Sequence, residues 1–160
     1  MFRKALRSLK SVSLYEGSVP QLALAGSWAL YIAFCPFLGL HTIMAIGIGW
    51  ILRLNIPLIL TTSYLVNNPW TMIPINLAGY FSGYWILHVL FKLPMKELNP
   101  AWMSYFNNLF HTYLGFSDIS FWGLMLGGNI LGIILAFACY PVFYLFFSNI
   151  KRRMSLQEKL

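Results

Sequence analysis

The sequence predicts an all-α integral membrane protein built from two proline-broken, re-entrant-like helical hairpins, an interfacial amphipathic helix and a C-terminal transmembrane helix. Three observations lead there. Hydrophobic residues fill 59% of the 160 positions and charged residues only 9%, against roughly 45–50% and about 25% in soluble domains. So few charges cannot cover a water-facing surface of this size, which leaves lipid as the solvent for much of it. The charges also flank apolar runs rather than interrupt them, and the runs are broken repeatedly by proline beside Asn, Thr or His.

One domain suits this length, divided into a basic juxtamembrane helix (1–17), paired broken hairpins (18–91), an interfacial segment (92–120) and a transmembrane helix (121–150). The formal charge of +7 concentrates in Arg3, Lys4, Arg7 and Lys10 and in Lys151, Arg152 and Arg153. Basic residues beside apolar segments point to anionic lipid rather than nucleic acid, and the positive-inside rule puts both termini in the cytoplasm. Cys35 and Cys139 are too few and too distant for a disulfide framework or a metal knuckle.

The N-terminal residues read as a surface helix, with Phe2, Ala5, Leu6 and Leu9 on one side and the basic residues around the rest; a solvated terminus is the alternative. The first apolar block then has arms at residues 21–35 and 43–52, separated by Cys35, Pro36, Phe37, Leu38, Gly39, Leu40, His41 and Thr42. An arm of about 15 residues rises roughly 22 Å, short of a core near 30 Å. A re-entrant hairpin with its tip in the membrane follows. The second block repeats the plan, with arms at 58–66 and 72–91 around Asn67, Asn68, Pro69, Trp70 and Thr71. Broken helices in corresponding positions are a pointer to transporter-like sites, and two ordinary hairpins with proline turns are the alternative.

Further along, Trp102, Phe106, Leu109, Phe110 and Tyr113 share one helical face, with Ser104, Asn107, Asn108 and His111 on the other. Residues 121–147 are long enough for a full span, which Pro141 would kink and the basic cluster would stop. Gly79 and Gly83, Gly123 and Gly127, and Gly128 and Gly132 form three G-x-x-x-G faces suited to close helix packing. Whether their partner lies in this chain or in a second subunit is open at this point.

The acids Glu16, Glu97, Asp118 and Glu158 all lie outside the apolar blocks. That argues against carboxylate-driven proton coupling, paired-acid hydrolysis and a carboxylate-bridged metal centre; no cofactor and no enzymatic activity are expected. The polar residues at the breaks remain. Pro36, Gly39 and Pro69 shape them, while His41, Thr42, Asn67, Asn68 and Thr71 are the candidate ligand-binding residues. Helices starting at each break would aim free N–H groups and positive dipole ends inward, making a nest for an anionic or polar headgroup. Capping is the competing role for these side chains. His88 and His111 are expected at the surface, and Arg53 is expected to snorkel towards headgroups.

These segments resemble a known family. The run Ala33, Phe34, Cys35, Pro36, Phe37, Leu38, Gly39, Leu40, His41, Thr42, then Arg53, Leu54, Asn55, Ile56, Pro57, then Asn67, Asn68, Pro69, Trp70, Thr71 is similar to the bacterial membrane family called domain of unknown function 2062. The likeness extends over about residues 16–144, with Asn67 standing where that family often has Ser. It implies a bacterial inner-membrane, multi-pass location and no defined activity; some relatives carry glycosyltransferase-like domains, a feature not expected of this chain. The resulting expectation is a transport or lipid-handling protein, binding a headgroup between the two tips, in contact with anionic lipids and assembled as a homo-oligomer or membrane complex. A non-transporting scaffold or accessory subunit for an envelope or lipid-linked glycan enzyme is the alternative.

Overall fold

A computed structural model describes residues 17–37, 39–92, 99–101, 103–114 and 120–157. The expected basic helix at the N-terminus lies outside the described residues. Among the described residues six α-helices run in order, α1 (Val19–Phe34), α2 (His41–Ile51), α3 (Ile56–Val66), α4 (Pro69–Tyr84), α5 (Met103–Leu114) and α6 (Phe121–Gln157), with α4 continued by a π-helical turn at Trp85–Leu90. No strand occurs among the described residues. Helices flank Pro36 and begin at Pro69, but the pair that packs as a hairpin is α2 with α3, across residues 52–55.

The chain divides into two compact units. The first comprises Met1–Ala33, Phe37–Val66 and Ile133–Leu160, and the second Phe34–Pro36 and Asn67–Gly132. In the first, Ser18 and Gln21 open α1, the Gln21 side chain accepting from the Ser18 amide at 2.9 Å and its hydroxyl at 3.1 Å. This Ser-x-x-Gln pattern with Pro20 in the first turn is a helix-start signature. The core of the unit joins Ala25, Ala29 and Ile32 of α1 to Ala45 of α2, Leu54 of the turn and Ile59 of α3. Three of its six residues are alanine, which lets the helices approach closely there. Gly26 likewise faces the Phe143 ring of α6, and Lys151 donates to the Gly17 carbonyl, so α1 and the end of α6 run antiparallel.

The turn between α2 and α3 is closed from both sides. Leu54 N–H donates to the Gly49 carbonyl at 2.8 Å and Arg53 N–H to Trp50 at 3.3 Å, with Arg53 left-handed at φ 52°. That is a Schellman ending, in which glycine is the usual occupant. Asn55 then caps α3 by accepting from the Leu58 amide at 2.9 Å. The segment Arg53, Leu54, Asn55 is thus a helix stop followed by a helix start.

In the second unit, α4 crosses α6 on glycines. A Cβ on Gly83 would overlap the Gly123 carbonyl, and one on Gly127 would overlap the Gly79 carbonyl and the Gly83 nitrogen. The partner that the sequence left open for these faces is therefore another helix of the same chain. Gly128 is closed in as well, since a Cβ added there would lie 2.8 Å from the Phe34 carbonyl and 3.0 Å from Pro36.

Two boundaries differ from expectation. α4 begins at Pro69, not after Thr71, because Asn68 supplies a complete cap. α6 does not stop at the basic cluster but continues to Gln157, since Lys and Arg are good helix formers and nothing in that stretch breaks the helix. α5 forms where the amphipathic pattern places it; Trp102 and the side chains of Phe106, Leu109, Phe110 and Tyr113 lie outside the described residues. Ser104, Asn108, His111 and His88 are exposed, as their polar positions suggest.

Among the described residues one helix, Phe121–Leu156, is long and apolar enough to cross a membrane, and only 11% of its most apolar window is buried within the protein. The core helix of a soluble protein would be mostly buried, so this apolar surface faces outward. The same is true of Trp50, Trp70 and Phe137, which are 78%, 89% and 79% exposed.

Candidate functional site

The second break lies wholly in the second unit, whereas the first is divided between the two, and each has its own local logic. At the first, Cys35 and Pro36 belong to the second unit and are both buried. The Cys35 thiol donates to Asn129 Oδ1 at 3.6 Å, while Asn129 Nδ2 donates to the Met125 carbonyl at 2.8 Å. A polar side chain within an apolar helix is thereby paired on both its faces.

Beyond Pro36 the chain turns, with Leu40 N–H donating to the Phe37 carbonyl at 3.0 Å and Gly39 at φ 87°. Nothing lies within 4 Å of a Cβ built on Gly39. Backbone conformation, and not crowding, is what requires glycine there. α2 starts immediately afterwards. Its N-cap, Leu40, has an apolar side chain and makes no side-chain cap bond. The first intrahelical bond is Met44 N–H to the Leu40 carbonyl at 2.9 Å. The Thr42 hydroxyl does not turn back to cap the helix but pairs with the Tyr64 hydroxyl at 2.5 Å. This bond closes the open end of the α2–α3 hairpin, placing two hydroxyls beside the start of α2. His41 is half-buried at the first helical position, and Gly39, Leu40 and Ile43 around it are exposed.

The second break is different. Asn68 Oδ1 accepts from Trp70 N–H at 2.9 Å and Thr71 N–H at 3.1 Å. The Thr71 hydroxyl accepts from Asn68 N–H at 3.0 Å, completing a capping box. Pro69 has no N–H, and Met72 N–H reaches the Asn68 carbonyl at 2.8 Å. Every donor of the first turn of α4 is therefore used, so the expected nest of free N–H groups does not form at this break. The capping role named as the alternative for Asn68 is the one seen, and Thr71 shares it. Asn67 precedes the cap and is half-buried.

Sequence reasoning missed Tyr64, which lies 22 positions from Thr42 and carries no local signal of the pairing. It also missed Asn129, for which a signal existed: a lone Asn in a long apolar run asks for a partner. No group of three or more His, Cys, Asp or Glu that could hold a metal occurs among the described residues.

These features define a class: among the described residues, an α-helical chain with many large apolar side chains exposed, one helix long and apolar enough to cross a bilayer, and two polar breaks beside prolines. Within that class, the chain belongs to the family described as uncharacterized protein conserved in bacteria (DUF2062), whose model matches residues 2–155. No curated protein and no solved structure matches it.

Proposed function

We propose that this protein is a multi-pass protein of the bacterial inner membrane, of transport or lipid-handling type, that binds the polar or anionic headgroup of a lipid at its first break. The observation that carries the reading is the start of α2, which has no side-chain cap yet opens beside the Thr42–Tyr64 hydroxyl pair on an exposed turn. A helix N-terminus is favourable to anions, and a headgroup phosphate meets that condition. His41, Thr42 and Tyr64 supply hydrogen bonds, and Gly39 holds the turn open. Asn68 and Thr71 cap the start of α4 at the second break, with Asn67 immediately before them.

Several features support insertion. Besides α6, the 16 residues of α4 and the 6 of its π-helical continuation together rise at most about 33 Å, enough for a core near 30 Å. The Lys151 bond to Gly17 brings the start of α1 beside the basic end of α6, which accords with both termini on the cytoplasmic side and with contact to anionic lipid. The competing scaffold reading relied on glycine faces for assembly; the Gly79, Gly83, Gly123 and Gly127 faces are already occupied within the chain, so a homo-oligomer or complex would use another surface.

The test is lipid retention. Wild-type protein purified in mild detergent should carry phospholipid detectable by native mass spectrometry. His41→Ala and Thr42→Val should lose it while keeping wild-type abundance in the membrane fraction. Retention by both variants would reject the first break as the site.

A further inference from the structure

Within the second unit the glycine crossing fixes a common level on two helices. A Cβ on Gly83 would overlap the Gly123 carbonyl, and one on Gly127 would overlap the Gly79 carbonyl. α4 and this part of α6 are therefore antiparallel, and the residues that follow Gly83 stand beside those that precede Gly123. Aromatic residues occupy that level from both sides. Tyr84 ends α4, Trp85 opens its π-helical continuation, and both are exposed. On α6 the exposed Trp122 meets Phe121 edge-on, with ring centroids 5.4 Å apart. One turn further along the π-helical stretch, the exposed His88 stacks on Tyr84 at 5.3 Å.

Tyr, Trp and His each join an apolar ring to a polar tip. Such residues settle where hydrocarbon gives way to headgroups, because the ring leaves water while the tip keeps a hydrogen-bonding partner. α6 supplies an independent ruler for this level. Trp122 is its only tryptophan, and no charged residue occurs between Trp122 and Lys151. Lys151 lies 29 residues beyond Trp122, a helical rise of about 43 Å. A bilayer with both headgroup layers measures about 40–45 Å. With Lys151, Arg152 and Arg153 in one headgroup layer, Trp122 falls in the other.

We infer that Tyr84, Trp85, His88, Phe121 and Trp122 form an aromatic belt seated in the headgroup layer of the leaflet opposite the basic cluster. Its partner is the phospholipid surface itself. The inference rests on the membrane reading above and adds which residues meet the second leaflet. The start of α6 is built for entry there, since Asn99 Oδ1 accepts from Phe121 N–H at 2.9 Å and Ser120 Oγ from Gly123 N–H at 3.1 Å. Donors satisfied in this way can pass into hydrocarbon. The Asn99 bond also returns the chain before α5 to the belt. α5 has 12 residues, about 18 Å of helix, too short to cross a core near 30 Å. It therefore stays on the belt side and lies along that leaflet.

The experiment measures depth. Full chains keeping one tryptophan, Trp85 or Trp122, with phenylalanine at the other tryptophan positions, are reconstituted in phosphatidylglycerol-containing vesicles. The lipid chains carry bromine either near the headgroup or near the chain end. Both tryptophans should be quenched more by the shallow bromine than by the deep one, and in the same ratio. Stronger quenching by the deep bromine, or different depths for the two, would overturn the belt. A second measurement leaves every tryptophan in place. Lys92→Cys and Ser155→Cys, each in a Cys139→Ala background, should react with a membrane-impermeant maleimide from opposite faces of the membrane, the first in spheroplasts and the second in inverted vesicles. Reaction of both from one face would overturn the assignment as well. Quenching by neither bromine would reject the membrane reading beneath the belt, a result distinct from quenching at the wrong depth.

Discussion

Replacing single glycines by alanine should push stability in opposite directions at two positions, and the contrast tests the helix crossing directly. At Gly47, in the interior of α2, nothing lies within 4 Å of an added Cβ. Alanine there only removes backbone freedom from the unfolded chain, a gain of about 0.8–1 kcal/mol. At Gly127 the added carbon would meet the Gly79 carbonyl, the Gly83 nitrogen and, at 2.8 Å, the Gly83 Cα. All three neighbours are backbone, so no rotamer change can make room and α4 must move away from α6. Overpacking of this kind costs about 1–3 kcal/mol, and the same propensity gain offsets about 1 kcal/mol of it. For a chain of this size about 2–4 °C accompanies each kcal/mol. Gly47→Ala should raise Tm by roughly 2–4 °C, and Gly127→Ala should lower it by up to roughly 8 °C. A thiol-reactive dye would react with the native cysteines during such a scan, so intrinsic tryptophan fluorescence in detergent is the better readout. If Gly127→Ala matched or exceeded wild type, the α4–α6 backbone contact would be refuted.

Three further outcomes follow from the local geometry. Asn68→Ala should cost about 1–2 kcal/mol, and adding Thr71→Ala should cost much less than its single effect, because both side chains serve one capping box; additive losses in a double-mutant cycle would contradict this. Tyr64→Phe removes the hydroxyl that pairs with Thr42 and should lower Tm by a few degrees, at about 0.5–1.5 kcal/mol for one hydrogen bond; an unchanged Tm would show that the hydroxyl pair does not hold the hairpin. Cys35 is 2% exposed and bonded to Asn129, so a membrane-impermeant maleimide should leave it unmodified in native protein and label it after denaturation. Rapid native labelling in a Cys139→Ala background would show that water reaches the first break.

Part of the local structure was legible from residues alone. The capping role of Asn68 could be weighed from the residues, because a short polar side chain before an apolar run meets amides only two or three residues away, but the starts at Ser18 and Asn55 were not read from them. The all-helical character and the apolar length of α6 came from composition, whereas the hairpin that packs is formed by α2 and α3 and not by the arms on either side of each proline break. Even so, the sequence could not say where α6 ends, because Lys and Arg mark a membrane boundary without terminating a helix.

What only the tertiary structure decided are the partners far apart in the chain. Sequence identified the glycine faces but not that Gly83 meets Gly123, because a face without side chains fits any helix that approaches it. Asn68 and Thr42 look alike as polar residues at breaks, yet one caps its own helix while the other reaches Tyr64. Arg53 is exposed as a surface charge should be, while Leu54 beside it is buried in a core shared by three helices. Short-range hydrogen bonding is written in neighbouring residues, whereas depth and partnership depend on which distant helices share a core.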